Sequence, residues 1–248
     1  MVKTEEIFIK GSKNKETICD IFLYEPENIE EAALGSLYVV AEMTANEDSL
    51  HLINLLTSII KREYYSLPHR GSAESLEAGL KKANAALNEV ATQGNLKWLG
   101  KTHFICAALN KEKELFLAQT GLAQAHLCRE GQLVGITKKI ASLNSKPHPA
   151  KTFQNIIAGE VMPADRLFFG TPAIFEILSL PGLDQLLNSV SLATAADQIN
   201  RLLREERRPS PMSALLLEIV KEDLPLSTAS SAKQRSATPP INLEEILK

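Results

Sequence analysis

Asp165-Arg-Leu-Phe-Phe-Gly-Thr-Pro-Ala-Ile-Phe-Glu-Ile-Leu-Ser179 is the stretch on which the reading of this chain turns. Arg166–Phe169 is a short run of bulky apolar residues and reads as a strand. A helix follows at about 173–179. Between them stands Pro172, a residue with no side-chain donor to offer a ligand. Two further helices are expected at about 182–189 and 192–206. Ser213–Val220, with Leu215, Leu216, Leu217 and Ile219, reads as a closing strand.

Upstream, residues 5–10 and 18–24 read as short strands. Leu37-Tyr-Val-Val-Ala41, after Gly35, reads as a buried one. From Asp48 to about Tyr65 the residues Leu50, Ile53, Leu56, Ile59 and Ile60 recur at helical spacing. Ser66-Leu-Pro-His-Arg-Gly71 breaks that helix. A second runs from Ser72 to about Thr92, with Leu76, Leu80, Ala83 and Leu87 on one face. Phe104–Leu109, Glu114–Ala118, Gln124–Arg129 and Leu133–Ile136, separated by turn residues, read as an antiparallel meander. Two long helices on one side of the strands and later helices on the other give an α/β sandwich of stacked sheets between helix layers.

The chain has 248 residues, 44% hydrophobic and 23% charged, with a formal net charge of −3. That suits a globular domain with a sizeable core. No basic face of the kind nucleic acid requires is evident, and Lys138-Lys139 and Arg207-Arg208 are isolated doublets. Cys19, Cys106 and Cys128 lie far apart without a C-x-x-C, against a disulfide framework and against structural zinc. The charged N-terminus does not resemble a signal peptide, and no apolar run approaches the ~20 residues of a membrane helix. The expected compartment is cytoplasmic.

Five strings together resemble one family. Asp165–Ser179 is similar to D-R-L-L-L-x-S-D-G-L-x-D-x-L-S of the PPM-type (type 2C, metal-dependent) serine/threonine phosphatases. Gly35-Ser-Leu-Tyr-Val-Val-Ala-Glu-Met43 resembles G-x-L-x-V-V-A-D-G. Leu117–Gly131 resembles V-G-D-S-R-A-Y-L-x-R-x-G, Gly159–Leu167 resembles G-x-L-x-P-G-D-x-L, and Ser210–Leu217 resembles the closing D-N-x-S/T strand. Gly100-Lys-Thr102 further resembles G-T-T before a strand. The resemblance spans roughly residues 5–221. It implies an α+β fold, the PPM-type α-β-β-α sandwich of two mostly antiparallel sheets flanked by helices. The chemistry it implies is hydrolysis of phosphoesters by water activated between two Mn²⁺ or Mg²⁺ ions on carboxylates.

The residues of that chemistry are mostly absent. Lys15 stands for the phosphate-binding Arg, keeping charge but losing the bidentate fork. Cys19 stands where a carboxylate often ligates, and a thiol suits Mg²⁺ poorly. Asp20 survives. Glu42 replaces the bridging Asp, and Met43 the adjacent Gly. Leu122 replaces the Asp of G-D-S. Pro172 and Ala173 replace the Asp-Gly of S-D-G. Ser210 and Pro211 replace the closing Asp-Asn. Asp20 and Glu42 are the residual metal candidates. The expectation is therefore a catalytically degenerate module that needs no cofactor and binds a protein partner, with Leu122, Pro172 and Met43 lining an apolar hollow. The alternative is an active Mn- or Mg-dependent protein phosphatase with an atypical site built on Glu42, Asp20 and Glu176 or Asp165. A sandwich with an amino-terminal nucleophile finds no Ser, Thr or Cys at or next to the chain start.

His51, His69, His103, His126 and His148 show no zinc-site spacing. Ser36, Thr102 and Ser213 sit at strand starts and read as structural. Trp98 reads as a residue at the rim of the core. The domain is expected over 1–223, followed by a disordered linker or tail at 224–248. Ile241–Lys248 is expected to form a short terminal helix, a docking peptide or a frayed end.

Overall fold

A computed structural model of the chain describes residues 1–11, 17–44, 49–138, 147–205 and 210–221, and the backbone of 241–242. The strands are β1 (Val2–Ile9), β2 (Thr17–Tyr24), β3 (Ser36–Thr44), β4 (Thr102–Leu109), β5 (Glu114–Thr120), β6 (Gln124–Arg129), β7 (Gln132–Gly135), β8 (Ile156–Glu160), β9 (Arg166–Gly170), β10 (Met212–Ile219) and β11 (Ile241–Asn242). The helices are α1 (Ser49–Tyr64), α2 (Ser72–Thr92), α3 (Ile174–Ile177), α4 (Leu180–Ser189) and α5 (Leu192–Arg204).

One sheet has the order β1-β10-β9-β6-β7 and the other β11-β8-β5-β4-β3-β2. All the pairings are antiparallel except that of β11, which runs parallel to β8. Alternation along the strands then builds three apolar layers. Leu37, Val39, Ala41 and Met43 of β3 face α1 and α2, with Leu56, Ile60, Leu76 and Leu80. Tyr38 and Val40, one residue out of phase, meet Leu167, Phe169, Leu215 and Leu217 of the other sheet. Phe168, Ala214 and Leu216 turn outward under α3–α5 and meet Leu183, Leu192 and Ile199. This is the four-layer sandwich expected from the order of elements.

Trp98 is 1% exposed and donates its indole N–H to Asn95 O at 2.9 Å, closing the edge of the α1–α2 core. The helices of the second face have polar starts. Ser179 Oγ accepts from Gly182 N and Ser191 Oγ from Thr194 N, both at 3.2 Å.

The expected meander is corrected. β4 and β5 pair in one sheet, whereas β6 and β7 pair in the other. The chain changes sheet at Thr120–Ala123, through Gly121 at φ +68. A Cβ there would stand 2.2 Å from His103 Nδ1 and 2.3 Å from Thr102 O, so only glycine lets the turn cross β4 this closely. Period-2 patterning reports which residues face inward, but not which sheet receives them.

β8 and β11 escaped the sequence reading, β11 lying where a short terminal helix, a docking peptide or a frayed end was expected. β8 is five residues with Ala158 and Gly159 at its centre, a weak strand signal. β1 begins earlier than expected because Lys3, Thr4, Glu5 and Glu6 make a polar edge strand. Among the described residues, no helix is long and apolar enough to cross a membrane.

Candidate functional site

The start of β2, the end of β3 and the start of β4 come together at one end of the sandwich. Register places Cys19 opposite Glu42, and Glu42 opposite His103. Neighbours in register share a face, so these three form a row pointing between the sheets. The other sheet supplies Thr171, just past β9, and Ser213 of β10. Both are fully buried, and Ser213 N donates to Thr171 Oγ1 at 3.1 Å.

Glu42 is the carboxylate of this cluster and is 8% exposed. Cys19 Sγ donates to its Oε2 at 3.7 Å. His103 Nε2 stands 3.9 Å from Oε1. Leu122 N–H donates to His103 Nδ1 at 3.1 Å, which leaves the ring hydrogen on Nε2, the nitrogen that faces Glu42. Burial raises the Glu42 carboxyl to about 7; contacts with Cys19 and Thr171 hold it down, and Glu176 pushes it up. Burial, helped by the neighbouring Glu42, drives the Cys19 thiol far above its usual range. Burial also lowers His103, so the ring is neutral near pH 7. Ser213 Oγ is buried with no hydrogen-bond partner of normal geometry among the described residues.

These residues do not fit a pair of hard divalent ions. Among the described residues, the groups are one carboxyl that is half protonated near neutrality, a protonated thiol, two hydroxyls and one imidazole, whose Nδ1 already accepts from Leu122 N. Mg²⁺ and Mn²⁺ need several oxygen ligands, mostly anionic. Among the described residues, no group of three or more His, Cys, Asp or Glu side chains stands close enough to hold an ion.

The other expected site positions divide clearly. Asp20 pairs in register with Ala41, which faces the helices, so Asp20 and Glu42 lie on opposite faces of the sheet. Asp20 Oδ1 accepts from Ile21 N at 2.8 Å. The two residual metal candidates therefore cannot share an ion. Met43 is 0% exposed and packs under α1 and α2, so it does not line the hollow with Leu122 and Pro172, as alternation along β3 requires. Asp165 is 2% exposed and clamped by Arg129, with Nη2 2.7 Å from Oδ2 and Nε 3.0 Å from Oδ1. It immediately precedes β9 while Thr171 follows the strand's end, roughly 20 Å away at strand rise.

Ala173 packs on the α3–α5 core. Ser210 is exposed, and Pro211 is buried against Gly11, where an added Cβ would meet its Cδ at 2.5 Å. Lys15 lies outside the described residues.

Leu122 and Pro172 do share a hollow. It is a groove of about 1100 Å³ between the β6–β7 hairpin and α3–α4, lined also by His126, Phe175, Glu176 and Leu180. Leu122 is 67% exposed and Leu180 47%, so two large apolar side chains stand open in a lining that also holds Gln124, Lys138 and Asp184. Its floor holds His126, lowered by burial to about 4 and set 5.4 Å from the Phe175 ring.

His103 and Thr171 were not singled out by the sequence, and Ser213 read as structural. Strand register would have found His103, two strands over from Cys19. Thr171 and Ser213 belong to the facing sheet, and only sheet packing brings them to Glu42.

Solved structures with this architecture include bacterial serine/threonine phosphatases. The Mycobacterium tuberculosis serine/threonine phosphatase PstP superposes with a TM-score of 0.66 at 16% identity, over 89% of this chain and 99% of that one. The catalytic domain of PstP in complex with two manganese ions gives 0.65 at 15% identity, over 89% and 99%. PppA, a key regulatory component of T6SS in Pseudomonas aeruginosa, gives 0.63 at 15% identity, over 88% and 97%. No protein-family model and no curated protein matches the sequence. At these identities the likeness concerns the fold: the chain has the α+β sandwich of the PPM-type serine/threonine phosphatases.

Proposed function

We propose that this chain is a catalytically degenerate PPM-type domain that works as a binding or regulatory module for a protein partner. The observation that carries this reading is the isolation of Glu42 among the described residues. Its neighbours are a thiol, two hydroxyls and a neutral imidazole. Asp20 is on the far face of the sheet, Leu122 points outward and Pro172 has nothing to donate. The described side chains offer too few anionic oxygens to hold the pair of cations that would ionise a water molecule here. The open groove beside the cluster, lined by Leu122, Phe175 and Leu180 together with polar groups such as Gln124, Lys138 and Glu176, suits a protein segment better than two aquated ions. The fold is a scaffold that carries several functions, so the site decides the reading.

The test is hydrolysis of p-nitrophenyl phosphate and phosphopeptides at millimolar Mn²⁺ or Mg²⁺, run beside a Mn²⁺ titration by calorimetry. No turnover above background and no binding heat are expected. Metal-dependent turnover that disappears in Glu42→Ala would establish the alternative, an active phosphatase with an atypical site.

A further inference from the structure

The six-stranded sheet closes on β2 at one side and on β8 at the other, and the outer side of β8 is covered by β11. Ile241 lies opposite Ile157, and Asn242 opposite Ala158, in parallel register. An open strand edge is a row of unpaired N–H and C=O groups that templates another strand. β1, an edge strand of the other sheet, carries Lys3, Glu5 and Glu6. β8 reads Ile156-Ile-Ala-Gly-Glu160, with no charge before its last residue.

We propose that the outer edge of β8 is a strand-docking site, with the chain's own C-terminal segment at Ile241–Asn242 as its resident occupant. This goes beyond the functional reading above and does not depend on the state of the Glu42 cluster.

The geometry of the chain's exit supports it. Ile219, the last residue of β10, donates its N–H to Asp165 O at 2.9 Å and accepts from Ala164 N at 2.7 Å. Ala164 lies four residues past the end of β8, so β10 ends close to the strand that the C-terminal segment rejoins. From Ala164 back to Ile157 is at most about 23 Å at strand rise. The connection over 222–240, roughly 20 residues, reaches more than twice that distance when extended. A tether of this kind holds the segment at an effective concentration on the order of millimolar. Two residues of ladder make a weak contact, which such a tether populates and which a competing strand can displace. Peptide recognition by strand addition uses the same main-chain bonds. Pro239 and Pro240 stand immediately before the paired residues, where they cannot extend the ladder upstream.

The test is disulfide trapping in the full chain. Partner Cα atoms in a ladder fall within disulfide reach, and the native Cys19, Cys106 and Cys128 are buried. Asn242→Cys with Ala158→Cys should oxidise at least about tenfold faster in a glutathione buffer than Ser231→Cys with Ala158→Cys. The second pair reports random tail collisions and shares the same change in β8. Equal rates overturn the proposal. Should Ala158→Cys disturb the fold, magnetic resonance of the unmodified chain decides. Backbone Overhauser contacts from Ile241 and Asn242 to Ile157 and Ala158 are expected. Sharp random-coil signals from both residues, without those contacts, overturn it.

Discussion

Glu42→Gln replaces the buried carboxyl with an amide of nearly the same shape, and its effect should depend on pH. Among the described residues, the groups that face Glu42 are Cys19, His103 and Thr171, with Ser213 beside Cys19 and Glu176 acting from the groove. None is a cation at pH 7, since His103 is held neutral by burial. The carboxyl is raised from 4.5 to about 7 in the folded chain. Its contribution to stability is therefore fully present below pH 4.5 and is lost as the pH rises through about 7. At about 1.4 kcal/mol for each pH unit, the loss by pH 8 is roughly 3 kcal/mol. Urea unfolding of both proteins at pH 4.5, 6 and 8 measures it. The two chains should be similar at pH 4.5, with the variant gaining roughly 3 kcal/mol at pH 8, or about 6–12 °C in Tm for a domain of this size. A stability difference that is the same at all three pH values would refute the reasoning, because it would mean that Glu42 titrates normally in the fold.

Met43→Ala should cost about 2–5 kcal/mol in urea unfolding without affecting the groove, because Met43 is core under α1 and α2; a near-neutral result would return it to the cleft. Asp165→Asn should destabilise by about 3 kcal/mol, read as a drop in Tm, because it leaves the Arg129 guanidinium without its buried partner. Glu42→Asp, Leu122→Asp and Pro172→Asp together should create Mn²⁺ binding detectable by calorimetry and lower the stability of the protein in EDTA. A folded triple variant that gives no heat at millimolar Mn²⁺ would undo the placement of these positions around one site.

The layer order was legible from the sequence because apolar spacing states directly which element type buries which face. Leu76, Leu80, Ala83 and Leu87 are spaced for a helix and are all buried in one core. Leu215 and Leu217 alternate with Ala214 and Leu216, and the two pairs enter different cores. The meander failed for a related reason. β5 and β6 look like consecutive hairpin strands, but the close passage of Gly121 over β4 sends β6 to the other sheet. That is a steric fact about two segments distant in sequence, and no local pattern encodes it.

The candidate site divides the same way. That Cys19, Leu122, Pro172 and Ser210 bear no carboxylate is a matter of residue identity, and the sequence alone determined it: no packing lends proline or leucine a carboxylate. Whether the surviving carboxylates cooperate was decided by tertiary structure. Asp20 and Glu42 were equal candidates until register set Cys19, not Asp20, opposite Glu42. The side-chain period of a strand is two, so a shift of one residue moves a group through the sheet. The ionisation of Glu42 likewise belongs to the fold, because it arises from burial between sheets whose facing residues, Thr171 and Ser213, lie far along the chain. Composition settled what the cluster lacks, while the meeting of two sheets settled what the remaining carboxyl can do.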